Sequence, residues 1–128
     1  MGQEWSDIVS DSKRMAHILV LAPSEELRKS LQFALEAEGH KVTSRDSFHD
    51  PSGFPEDADC AVLDHHAAQG HMSLAAEFVE RYAPVILLAN TSTHPLSPHS
   101  FRTVTKPFLG PFLSQAIGSA VRGKRLAT

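Results

Sequence analysis

Thr103-Val104-Thr105-Lys106-Pro107 is the stretch that decides the fold of this chain. A short β-type run ends in a lysine. The proline that follows sits where a helix can open, because its fixed φ suits a first helical turn. Two earlier apolar runs have the same character: His17-Ile18-Leu19-Val20-Leu21, and Cys60-Ala61-Val62-Leu63, which ends in Asp64. Continuous apolar runs with β-branched members, and no polar alternation, predict strands buried on both faces. Strand ends carrying Asp64 and Lys106 would face each other across one crevice of a parallel sheet.

The segments between the runs are helical. Ser24 is an expected N-cap, with Glu25 and Glu26 at the positive end of the helix. Leu27, Leu31, Ala34 and Leu35 predict one buried face, and Gly39 ends the helix as a C′ residue. Lys41 to Ser44 reads as an edge strand. His65 to His71 reads as a loop, followed by a helix to Tyr82 that puts Ala75, Phe78, Val79 and Tyr82 on one face. Pro84 to Ala89 and Phe101 to Thr105 are the remaining strands. Leu109, Phe112, Leu113, Ala116, Ile117, Ala120 and Val121 form the cleanest helical stripe.

Two segments break the pattern. Residues 45–58 hold Asp50, Pro51, Gly53 and Pro55, and residues 90–100 hold two prolines with several Ser, Thr and Asn. The second and fourth helices are therefore expected to be short or missing. Five strands alternating with helices predict an α/β, flavodoxin-like three-layer sandwich, with a five-stranded parallel sheet in the order 2-1-3-4-5.

The bulk numbers agree with one domain. The chain has 128 residues, 41% of them hydrophobic and 21% charged. Residues 16–128 carry the fold. Residues 1–15, with Trp5, Ile8 and Val9, read as a leader or linker, disordered or docked as a short helix. No apolar stretch is long enough to cross a membrane, and no signal-peptide core precedes the first strand. One cysteine, Cys60, inside a strand-like run predicts a buried inert thiol and a cytoplasmic protein. Arg122, Lys124 and Arg125 close the last helix, where its dipole favours cations, and this patch is too small for a nucleic-acid footprint.

With these pieces in order, residues 16–125 resemble the receiver domain of bacterial two-component response regulators, of the CheY-like type. The matching motifs are Ile18-Leu19-Val20-Leu21, Asp59-Cys60-Ala61-Val62-Leu63-Asp64, Pro84-Val85-Ile86-Leu87-Leu88 and Val104-Thr105-Lys106-Pro107-Phe108. The resemblance implies that Asp64 stands at the phosphoacceptor position and Lys106 at the phosphoryl-contacting lysine. It implies histidine kinases, phosphotransfer proteins or other signalling proteins as partners, a homodimer through the face of the fourth helix, fifth strand and last helix, and no enzymatic activity.

The departures are as informative. Receivers carry two acids after the first strand to hold Mg²⁺; Ala22 and Pro23 stand there. Ala89 replaces the Ser or Thr that bonds the phosphoryl group, Thr103 the aromatic switch residue, and Ala68 a proline. Glu25 and Glu26 are expected to point along the helix surface, so Mg²⁺ binding is expected to be lost. The expectation is a degenerate, pseudo-receiver domain working through protein contacts, with phosphorylation of Asp64 by a histidine kinase as the alternative. The shortened 90–100 segment should expose apolar area from Pro95, Leu96 or Phe101.

A reading of another class is metal or small-molecule binding. His65, His66 and His71 with Asp64 could ligate a transition metal. Their spacing is no recognised signature, so polar loop residues beside a crevice are expected, with His65 or His66 conferring response near neutral pH. The strand-end loops lack the glycines that cradle a nucleotide or flavin phosphate.

Overall fold

The computed structural model describes residues 16–48, 51–106 and 110–127. Expectations for residues 1–15, Asp50, Pro107, Phe108 and Leu109, and for the Arg125 side chain, lie outside the described residues. Strands β1 (His17–Leu21), β2 (Lys41–Arg45), β3 (Cys60–Asp64), β4 (Val85–Ala89) and β5 (Arg102–Thr105) form one sheet. Its order is β2-β1-β3-β4-β5, and every pairing is parallel. Helices α1 (Glu25–Ala37), α2 (His65–Ala68), α3 (Met72–Arg81) and α4 (Gly110–Ala127) complete the layers.

Side-chain alternation splits the core in two. Ile18, Val20, Cys60, Val62, Ile86, Leu88 and Val104 face α1 and α4, where they meet Leu31, Leu35, Leu113, Ala116, Ile117, Ala120 and Val121. Leu19, Leu21, Ala61, Leu63, Leu87 and Ala89 face the other way, toward Ala75, Phe78, Val79 and Tyr82 of the α3 layer. Each central strand is therefore apolar at successive positions, which is why its sequence shows a run rather than alternation.

The two breaker-rich segments hold only single 3₁₀ turns, at Pro51–Gly53 and Ser97–His99. On the first of these flanks aromatic side chains fill the space a helix would cover. Phe48 packs edge-on to Phe78 with ring centroids 5.6 Å apart, and Phe54 meets Phe78 at 5.9 Å and Tyr82 at 6.1 Å. The Arg45 guanidinium donates to the Gly53 carbonyl at 2.8 Å and pins the turn to the edge strand.

Helix caps follow the sequence. Ser24 accepts from the Leu27 amide at 3.2 Å, and Gly39 takes φ 97° after the last turn of α1, a conformation that favours glycine. Lys124 Nζ donates to the Ala58 carbonyl at 2.9 Å, so one cation of the terminal cluster ties α4 to the start of β3.

Four expectations are corrected. Ala34 and Phe112 lie on exposed flanks of their helices, not in the buried stripes. Leu96 is buried, whereas Pro95 and Phe101 are exposed as expected. The stretch after Asp64 is not all loop, because α2 starts directly at His65. For Ala34 and Phe112 the reason is shared: periodicity marks a stripe, but the width actually buried depends on the surface it meets.

At the N-terminal ends of the strands, His17 forms a polar clamp. Its Nδ1 lies 2.9 Å from Asp57 Oδ1 and its Nε2 2.8 Å from Thr43 Oγ1. The hydrogen bond to His17 holds the Asp57 carboxyl below its ordinary 3.8. A depressed carboxyl stabilises the fold above its unfolded pKa, and that contribution disappears as pH falls through the folded value. The stability difference between wild type and Asp57→Asn should therefore shrink as pH drops from about 5 to about 3, followed by urea unfolding.

Burial pushes the Cys60 thiol up to about 12. A thiol reagent at pH near 8 should modify Cys60 only as fast as the domain opens, with the rate rising in urea. Leu87 is fully buried. Leu87→Ala should cost about 2–5 kcal/mol, seen as a lower urea midpoint at unchanged slope.

Candidate functional site

The crevice lies at the C-terminal ends of β1, β3 and β5. Asp64 is 1% exposed, and a carboxylate so deep needs partners for both oxygens. Oδ1 forms an ion pair with Lys106 Nζ. Oδ2 accepts from the His66 amide at 3.2 Å and lies 3.1 Å from His66 Nδ1. Asp64 is thus both the strand-end acid and the N-cap of α2.

Lys106 reaches Asp64 from the far side of β4. Asp64 pairs in register with Leu88, and Thr105 with Ala89. The Lys106 amide donates to the Ala89 carbonyl at 2.8 Å, which fixes where its side chain starts. Its Nζ also comes within 3.5 Å of His66 Nδ1. Asp64, His66 and Lys106 therefore form one contiguous charged and polar group.

The other sequence-selected positions fall around it. Ala22 is buried and Pro23 exposed at the end of β1. Arg28 Nη1 donates to both their carbonyls, at 2.8 Å and 2.9 Å. Glu25 and Glu26 are exposed on the first turn of α1. Ala89 is buried, and Thr103 donates to Ser97 Oγ at 3.0 Å, away from the crevice group. Ala68 is fully buried within α2's end.

One participant was missed in the sequence, and a second, named as a candidate, was misplaced in a loop. Arg28 lies on a helix face that reads as ordinary solvent-exposed charge, and nothing local marks its reach back to residues 22 and 23. His65 was read as a polar loop residue, yet it is 8% exposed and its ring stacks 4.1 Å from that of His66. Burial, with the charges of His66 and Lys106 beside it, holds the His65 imidazole below its ordinary 6.5. His94, from the shortened 90–100 segment, meets the His65 ring edge-on at 5.9 Å. His71 stands apart, at the N-cap of α3.

No protein-family model matches the sequence. Among curated proteins, the chain is 35% identical over 105 residues to the transcriptional regulator protein FixT of Rhizobium meliloti, covering 81% of this chain and 91% of that one. Among solved structures, a response regulator receiver domain protein from Clostridium thermocellum superimposes with a TM-score of 0.74 at 21% identity, covering 89% of this chain and all of that one. Full-length FixJ from B. japonicum gives a TM-score of 0.70 at 24% identity, over 88% of this chain and 60% of that one. The latter two likenesses carry the fold, and the first carries kinship. The chain belongs to the family of receiver-fold regulators that includes FixT, built on the scaffold of two-component signalling.

Proposed function

We propose that this chain is a degenerate receiver, which takes part in two-component signalling through protein contacts rather than through a phosphorylated aspartate. One observation carries the reading: the buried Asp64 has both oxygens engaged, Oδ1 by Lys106 and Oδ2 by His66. An aspartate that attacks phosphorus brings two anions together, and the reaction depends on positive charge held on the phosphoryl oxygens. In ordinary receivers Mg²⁺ supplies that charge.

The donors here do not suit Mg²⁺. That ion needs octahedral oxygen ligands at about 2.0–2.1 Å and gives up its waters reluctantly. Ala22 and Pro23 offer no side-chain oxygen, and Arg28 already occupies their carbonyls. Asp64 is the lone carboxylate of the crevice group among the described residues.

The Asp64–Lys106 pair then acts as a standing structural link between β3 and β5. Ala89 and Thr103 lack the hydroxyl and aromatic ring through which a receiver relays phosphorylation to its partner face. That face remains as a surface of fixed shape. Its shortened 90–100 segment leaves Pro95 and Phe101 exposed beside β5. A histidine kinase or another protein of the same signalling system is the partner class this reading implies, with no chemistry catalysed by the chain itself. Arg102 lies over the Phe101 ring at 5.5 Å.

Incubation with acetyl phosphate and Mg²⁺ should leave the intact mass unchanged. A stable gain of one phosphoryl group, absent in Asp64→Ala, would refute the proposal and restore Asp64 as an acceptor. The standing ion pair has its own signature. Lys106→Met should destabilise the fold by about 1–3 kcal/mol, because it strands a buried carboxylate. Asp64→Ala combined with Lys106→Met should recover part of that loss in a double-mutant cycle. Additive costs would mean the two side chains do not support each other.

A further inference from the structure

We propose that Asp64, His65 and His66 form a binding site for a transition-metal ion of zinc type, distinct in donor chemistry from a receiver's magnesium site. The inference is independent of the phosphorylation reading, since it concerns which cation the crevice accepts. Three observations carry it.

First, one ligand atom from each of the three side chains lies within 4.8 Å of the others. Around a tetrahedral ion with bonds of about 2.0–2.1 Å, ligands stand about 3.3 Å apart. Asp64 Oδ2 and His66 Nδ1, 3.1 Å apart, already have nearly that spacing. Only the His65 ring needs to close on them.

Second, His65 is more than nine-tenths buried, and its Nε2 has no hydrogen-bond partner among the described residues. A sealed imidazole nitrogen without a partner is rare in a folded protein and calls for an explanation. Membership in a ligand set supplies one.

Third, the donors are of the right class. Two imidazoles and one carboxylate suit Zn²⁺, Co²⁺ or Ni²⁺, whereas they are a poor set for Mg²⁺. Three protein ligands leave one position for water or an exogenous group. Lys106 does not have to leave. It pairs with Oδ1, and the metal would take Oδ2, so the lysine becomes an outer partner that orients the carboxylate. His94 borders the group through its edge contact with His65, while its own Nδ1 accepts from the Leu96 amide at 3.1 Å. His71 is not a member of the cluster, which corrects the ligand set drawn from spacing alone.

The test uses the full chain. Zn²⁺ is titrated by calorimetry, and Co²⁺ is followed by its visible absorption. The expected result is one ion bound saturably per chain, with a Co²⁺ band intensity typical of four-coordination. His66→Ala should weaken binding by at least about tenfold, and His65→Ala at least as much. The exposed His99→Ala should bind as wild type does. Should His65→Ala fail to fold, as judged by circular dichroism, His66→Ala decides alone, because its ring is half exposed. Absence of saturable Zn²⁺ binding would overturn the site, as would unchanged affinity in His66→Ala or equal loss in His99→Ala. None of these outcomes bears on whether Asp64 accepts a phosphoryl group, so the two proposals fail separately.

Discussion

A carboxylate buried to 1% exposure between two parallel strand ends must be neutralised where it stands, and in this chain Lys106 does that from two strands away. Neighbouring strands are about 4.8 Å apart, so β3 and β5 ends are separated by roughly 9–10 Å. The aspartate and lysine side chains close that gap together, meeting across the end of β4. Ala89 closes β4, and its carbonyl anchors the Lys106 amide. The sheet order, the small residue closing β4 and the lysine closing β5 are thus parts of one electrostatic solution. A buried ion pair of this kind is not a source of large net stability. Its consequence is specificity of geometry: it fixes the relative positions of three strand ends.

Oδ2 completes the arrangement. The same carboxylate that meets the lysine also caps α2, so the chain turns from strand to helix at Asp64 without an intervening loop. That sharp turn places His65 and His66 directly against the acid. Imidazoles so close to the crevice change its chemistry from oxygen-rich to nitrogen-rich. The position of a single helix start therefore determines which donors line the site.

Much of this was legible in the residues. Continuous apolar runs announced buried parallel strands, and the prolines in residues 45–58 and 90–100, with Gly53 in the first, announced the two missing helices. Asp64, Lys106, Ala22, Pro23 and Ala89 fell at strand ends because strand ends are where apolar runs stop. What could not be read depends on tertiary contact. Arg28 looks like any surface cation until its helix is docked over residues 22 and 23. His65 looks polar until the fold buries it and brings His94 of the 90–100 segment against its ring. Ala34 and Phe112 look like core because periodicity reports direction and not depth. Phe33, exposed at 79%, shows the complementary case: a large apolar residue on a face the sheet does not reach.

Comparison of cation types brings the argument to its last step. An ordinary receiver gathers anionic oxygens and waits for Mg²⁺ to make phosphoryl transfer possible. Here the crevice carries its own cations, Lys106 and Arg28, fixed by short hydrogen bonds and an ion pair. Fixed charges cannot dissociate as a hydrated ion does, which is the physical ground of the degenerate reading proposed above. Beside Asp64 stand the imidazoles of His65 and His66, nitrogen donors of a class that suits borderline metals better than magnesium.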